Sequence, residues 1–255
     1  MMQVKILGCS GGIGDRMRTT SMLVDEDVLI DAGTGVGDLS LASLLKIDHV
    51  FITHTHMDHI AFLPLLLDTV MGSRTKPIHV YASAQVIKIL KEHVFNWLIW
   101  PNFNLIPKPS NPLLVYKEMN VDDVVTLDGR HFTALAANHG VPAVGYQVDS
   151  GQASLVFTGD TAGCTAFWQQ VNAIDNLQYL IIETAFSNKE KLLAAESKHL
   201  CPQTLAEELA NLRGQPAVYI THLKPGEGDR IMEEISQNPK TTGCIALQNQ
   251  QTFEL

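Results

Sequence analysis

The stretch His54-Thr55-His56-Met57-Asp58-His59 places three imidazoles and a carboxylate within six residues. The chain has ten histidines in 255 residues, and an H-x-H-x-D-H order arises by chance on the order of once in a thousand chains of this kind. Ligand-type groups crowded in this way repel and desolvate one another unless a cation sits among them, so the segment reads as a metal-binding loop. His54 and His56, at alternating positions, aim at one ion, while Asp58 and His59, turning into a following helix, point at a second. Further ligands must come from elsewhere: His139 completes the first ion, His222 the second, and Asp160 bridges them. An all N/O set without thiolate suits two divalent ions, with zinc expected and manganese or iron also fitting. Such a pair activates water near neutral pH, with Asp58 orienting that water while it ligates.

These residues can meet only if the chain brings them to one edge, and the apolar pattern says that it does. Short runs rich in Val and Ile predict strands at 3–7, 21–24, 28–31, 49–53, 78–81, 113–117, 124–127, 131–136, 144–148, 155–158, 180–183, 218–221 and 245–247. Four of them run directly into 54–59, Asn138-His139-Gly140, Thr158-Gly159-Asp160 and Thr221-His222-Leu223. Groups just beyond strand ends are fixed by a rigid sheet yet reachable by substrate. Helical spacing marks 60–71, 84–93, 202–212 and 229–235. Many strands with interspersed helices predict an α/β sandwich, sheets packed together and helices outside. No repeat, low-complexity tract or linker divides the sequence, which reads as a single domain over 1–255.

Composition narrows the partners. Eighteen basic against twenty-seven acidic residues give a net charge of −9, so no general pull toward a nucleic-acid polymer or an anionic membrane is expected. The longest apolar run, 60–67, contains Pro64 and stops at Asp68, short of the roughly 20 residues that span a bilayer. The N-terminal apolar stretch is too short for a signal peptide, so a cytoplasmic location is expected. The four cysteines, Cys9, Cys164, Cys201 and Cys244, show no C-x-x-C spacing and read as reduced core thiols.

With these motifs in view, the chain resembles the metallo-β-lactamase superfamily. The resemblance rests on Gly8-Cys9-Ser10-Gly11-Gly12, Leu29-Ile30-Asp31-Ala32-Gly33, the 54–59 motif, His139, Thr158-Gly159-Asp160 and His222. Within it the sequence is most similar to the class II cyclic-nucleotide phosphodiesterases, through 93–103, Ile182-Glu183-Thr184-Ala185-Phe186-Ser187-Asn188, His199-Leu200-Cys201-Pro202 and Thr221-His222-Leu223-Lys224-Pro225. It departs from that pattern at three places. Met57 stands where Leu is usual, Ala61 where Gly is usual, and Lys198-His199-Leu200-Cys201-Pro202 where Gly-His-Leu-Thr-Pro is commoner. The resemblance implies an αββα four-layer sandwich of mixed β-sheets with outer helices and a binuclear centre, and hydrolysis of 3′,5′-cyclic nucleotides such as cAMP or cGMP to 5′-nucleotides. It also implies that His199 holds no metal, bonding the phosphate and protonating the leaving 3′-oxygen, as an imidazole titrating near neutrality can.

The segment 95–103 is unusually aromatic. Trp100 and Phe103 are candidates for stacking on a base, although a buried cluster or a homodimer contact explains the same residues equally well. His49, His79, His93 and His131 read as structural. The expected substrate is a small anionic cyclic nucleotide. The competing readings are a related phosphodiesterase, either a tRNA 3′-processing endonuclease or a hydrolase of another cyclic phosphate, and a noncatalytic nucleotide sensor. The endonuclease normally holds tRNA with a basic arm, and no Lys/Arg-rich insertion is present.

Overall fold

The computed structural model describes all 255 residues, Met1–Leu255. Two seven-stranded mixed sheets face one another. The first runs in the order Thr252–Glu254, Gln3–Gly8, Ser21–Val24, Val28–Ile30, His49–Phe51, Ile78–Ala82, Leu114–Glu118. It is antiparallel as far as Val28–Ile30 and parallel thereafter. The second runs Ile245–Ala246, Ala217–Thr221, Leu177–Glu183, Ser154–Phe157, Val144–Asp149, Arg130–Ala136, Val124–Leu127. Its first four strands are parallel and the rest antiparallel.

Alternation of side chains along each strand separates three apolar layers. Val4, Ile6, Val28, Ile30 and Phe51 point inward and meet Phe132, Tyr146, Val148 and Phe157 of the facing sheet. Leu7, Leu29 and Val50 point outward and pack against Leu63, Leu66, Leu67 and Val70 of helix Leu63–Val70 and Val86 and Ile87 of helix Ala84–Ile89. On the far side, Val156, Leu180, Ile182 and Ile220 pack against Phe167 and Trp168 of helix Thr165–Val171, Leu205 of helix Pro202–Leu209, and Ile231 and Ile235 of helix Gly228–Ser236. This is the four-layer αββα arrangement. No helix is long and apolar enough to cross a membrane.

Local chemistry adjusts several predicted boundaries. The 60–71 helix divides into Met57–Ile60 and Leu63–Val70, with Pro64 in the first turn of the second, where its missing N–H costs nothing. The 84–93 helix changes to a π-helical turn at Leu90–Val94. Helices Thr165–Val171 and Lys191–Ser197 and the C-terminal strand Thr252–Glu254 lack a clear sequence signal. Their burial is decided by the neighbouring sheet rather than by their own periodicity.

Candidate metal centre

Strand His49–Phe51 lies in the interior of the first sheet, and the chain leaving it carries Thr53, His54 and His56 across the sheet edge. His56 caps helix Met57–Ile60 with an extended backbone, and that helix returns Asp58 and His59 toward the same point. From the other sheet, His139 follows Arg130–Ala136, Asp160 follows Ser154–Phe157 and His222 follows Ala217–Thr221. His222 is held in the left-handed region (φ 63°).

The seven predicted ligands converge as two groups. In each, the ligand atoms lie within 4.8 Å of one another: His54, His56, His139 and Asp160, and then Asp58, His59, Asp160 and His222. Asp160 belongs to both. Its Oδ2 is 3.6 Å from His54 Nε2, and its Oδ1 is 3.4 Å from His59 Nε2 and 3.3 Å from His222 Nδ1. Asp58 Oδ2 is 3.7 Å from His222 Nε2 and 4.0 Å from His59 Nε2.

Whether these residues fit a cation can be judged from their unsatisfied atoms. His54 Nε2, His59 Nε2, Asp160 Oδ1 and both ring nitrogens of His222 are buried with no hydrogen-bond partner. Orphaned buried polar atoms are costly and rare, and five of the eight in the structure gather at this one place. The outward nitrogens are occupied: His59 Nδ1 donates to Asp31 Oδ2 at 2.7 Å, His54 Nδ1 to Thr53 Oγ1 at 3.0 Å and His139 Nδ1 to the Lys198 carbonyl at 3.1 Å. Each bond fixes the tautomer that leaves Nε2 as an electron-pair donor toward the cluster. Burial holds the His54 ring well below the usual imidazole range and pushes His222 down to about 3, so both rings are neutral, the form in which a histidine could hold a metal ion. At His59 burial is outweighed by the carboxylates of Asp160 and Asp31, which raise its proton affinity. The position favours positive charge. The donor set therefore suits two divalent metal ions.

His199, just beyond helix Lys191–Ser197, lies outside both groups. Its ring centroid is 5.0 Å from that of His139 and 5.2 Å from that of His222. Its Nδ1 donates to Glu183 Oε1 at 2.7 Å. Burial alone would lower the His199 pKa, but the hydrogen bond and charge of Glu183 raise it above the ordinary value. Glu183 is fully buried and also accepts from the backbone N–H groups of Thr161 and Leu200.

For Phe103 the aromatic expectation needs correction. Phe103 is 1% exposed, inside the core under the first sheet and beside Phe95, so it has no face open to a base. Trp100 packs on the same cluster, with Nε1 donating to the Pro64 carbonyl at 3.1 Å. The exposed ring of this segment is Trp97. Sequence reasoning also gave no role to Asp31, Thr53 or Glu183. The signal for Asp31 and Glu183 was an acidic residue ending an apolar strand, where only a buried partner makes the charge tolerable.

The family model described as Beta-lactamase superfamily domain matches residues 26–223. Ribonuclease Z of Thermococcus kodakarensis is 26% identical over 155 residues, 57% of this chain and 46% of that protein. Ribonuclease Z of Clostridium beijerinckii is 30% identical over 156 residues, 57% and 48%. The matched stretch thus spans about half the length of these relatives. Among solved structures, unliganded yeast PDE1 superposes with a TM-score of 0.82 at 20% identity, covering 100% of this chain and 99% of that one. Human tRNase Z, short form, gives 0.71 at 18%, covering 99% and 98%. At such identities the likeness is one of fold.

Proposed function

Since the chain belongs to the metallo-β-lactamase superfamily, a family of metal-dependent hydrolases, we propose that it is a binuclear phosphodiesterase. The observation that carries this reading is the pair of ligand groups sharing Asp160, with five inward-facing atoms that no protein group satisfies. When bound, the two ions supply Lewis-acid charge that makes water a nucleophile near neutral pH and offsets negative charge on the scissile phosphate.

The chain's own residues do the rest. Asp58, with a side chain 26% exposed at the rim, orients the attacking water and accepts its proton. His199, held through Nδ1 by Glu183, keeps Nε2 free to donate a proton to the leaving oxygen as the phosphorus–oxygen bond breaks. Glu183 raises the His199 pKa above the ordinary imidazole value, which favours the protonated form that such a donor needs.

Two substrate readings are carried forward. The ribonuclease Z relatives favour endonucleolytic cleavage at a tRNA 3′ end, and this reading has the better support. The second, hydrolysis of 3′,5′-cyclic nucleotides, is favoured by the net charge of −9, which suits a small anion more than a polymer. Zinc-loaded protein incubated separately with a precursor tRNA, 3′,5′-cyclic AMP and bis(p-nitrophenyl) phosphate separates them. Trailer release supports the first, 5′-AMP the second, and inertness toward all three refutes the phosphodiesterase.

A further inference from the structure

Lys198 caps the C-terminus of helix Lys191–Ser197 in the left-handed conformation, φ 55° and ψ 52°. Glycine adopts this backbone freely, whereas a residue with a Cβ does so at a penalty. A long cation is thus held where the backbone favours glycine, and its contacts lead to the metal cluster. Its carbonyl accepts from His139 Nδ1, while its Nζ donates to the His139 carbonyl at 3.2 Å. That bond uses one of three ammonium protons.

A second ammonium stands at the other end. Lys224 Nζ donates to the Gly11 carbonyl at 2.9 Å. Gly11 backs directly onto His222, since a Cβ there would come within 2.6 Å of the His222 carbonyl oxygen and 3.0 Å of its Cδ2. The His199 ring packs against both His139 and His222, so Lys198 joins it through one neighbour and Lys224 backs onto the other. Both ammonium groups are bonded to backbone carbonyls rather than to carboxylates, although acidic residues outnumber basic ones in the chain.

We propose that Lys198 and Lys224 form an anion clamp astride His199, selecting substrates that carry a second phosphate beside the scissile diester. This deepens the phosphodiesterase reading and rests on it. The ions and His199 engage the scissile group, and each lysine has donors left for a neighbouring anion, a charge-assisted contact. A 3′,5′-cyclic nucleotide carries one charge and offers the clamp nothing further. The second anion is either a terminal phosphate or the next diester of a chain.

The test compares kcat/KM at low ionic strength for the diadenosine ApA, the 5′-phosphorylated pApA and the trimer ApApA. Bis(p-nitrophenyl) phosphate reports whether diester hydrolysis occurs at all. The wild type should favour pApA or ApApA over ApA by about tenfold, mainly through KM, and the preference should fade with added salt. Preference for ApApA alone identifies a neighbouring diester, and for pApA alone a terminal phosphate. Lys198→Gln should collapse the ratio and Lys198→Arg largely keep it. Lys198→Gly should also lose the ratio while raising the melting temperature by about 2–4 °C, because the backbone strain is relieved. Equal rates on all three substrates, or a wild-type ratio in Lys198→Gln, overturns the clamp while leaving the phosphodiesterase intact. Inertness toward every diester refutes the phosphodiesterase instead. The clamp is then judged by calorimetry, where about tenfold tighter binding of adenosine 3′,5′-bisphosphate than of 5′-AMP, lost in Lys198→Gln, supports it and equal binding overturns it.

Discussion

Asp31→Asn changes almost no volume, yet it should disable one half of the metal centre. Asp31 is fully buried and accepts three bonds, from Thr53 N–H at 2.8 Å, Thr53 Oγ1–H at 2.8 Å and His59 Nδ1–H at 2.7 Å. An amide in its place keeps one oxygen, which the Thr53 N–H on Oδ1 retains, and turns an NH₂ toward His59. Two donors cannot face one another, so the imidazole takes the other tautomer, with its proton on Nε2 pointing into the cluster. Nε2 is the atom 3.4 Å from Asp160, and a protonated nitrogen cannot ligate. Loss of such an orienting partner typically costs about 10–100-fold in metal affinity, or roughly 1.4–2.7 kcal/mol. The second site, with Asp58, His59 and His222, should weaken by that factor. The first, reached only through Thr53 and His54, should change less. Competition against a chelating dye resolves the two affinities, with urea unfolding of metal-free protein as the control for folding. Two affinities within twofold of the wild type would refute the assignment of Asp31 as the group that fixes the His59 tautomer.

His199→Ala removes a group placed beside the ligands but outside them, so elemental analysis should find two metal equivalents while turnover falls about 10²–10⁴-fold. Loss of one metal would make His199 a ligand. Phe103→Ala should destabilise the protein by about 3–5 kcal/mol in denaturant titration, because a ring 1% exposed leaves a cavity. A raised KM with unchanged stability would restore its expected role in base stacking. Burial would raise the Asp27 carboxyl, but the hydrogen bonds and charge of Arg130 outweigh it and hold it below the usual range. A carboxyl depressed in the folded state stabilises above its unfolded pKa, near 4. That contribution is lost as pH falls through the folded value. Asp27→Asn should therefore cost about 1 kcal/mol at pH 7, discounted for its partial exposure, and flatten the acid limb of the stability profile. An unchanged acid limb would remove the pair from the account.

The sequence alone reached the residues that converge because a strand end is a local feature. An apolar run followed within a few residues by His54, His139, Asp160 or His222 needs no long-range information to be read as a sheet edge bearing groups of metal-binding type. The sandwich was legible for the same reason, since short apolar runs such as Val28-Leu29-Ile30, interspersed with helical spacing, read as sheets packed together with helices outside. Other features depend on contacts between residues far apart in the chain, and only the tertiary structure decided them. Asp31 meets His59 across 28 residues and Glu183 meets His199 across 16, so an acidic strand end becomes a positioning group only when its partner is known. Phe103 and Trp97 belong to one aromatic segment, yet one ring is buried and the other 57% exposed. Composition is blind to that difference, because burial is set by what the sheet and helix Leu63–Val70 place on top. In sequence Lys198 is only a departure from a commoner glycine beside His199. The left-handed cap and the two bonds to His139 set it apart, and both arise from where the helix ends relative to a loop 59 residues away.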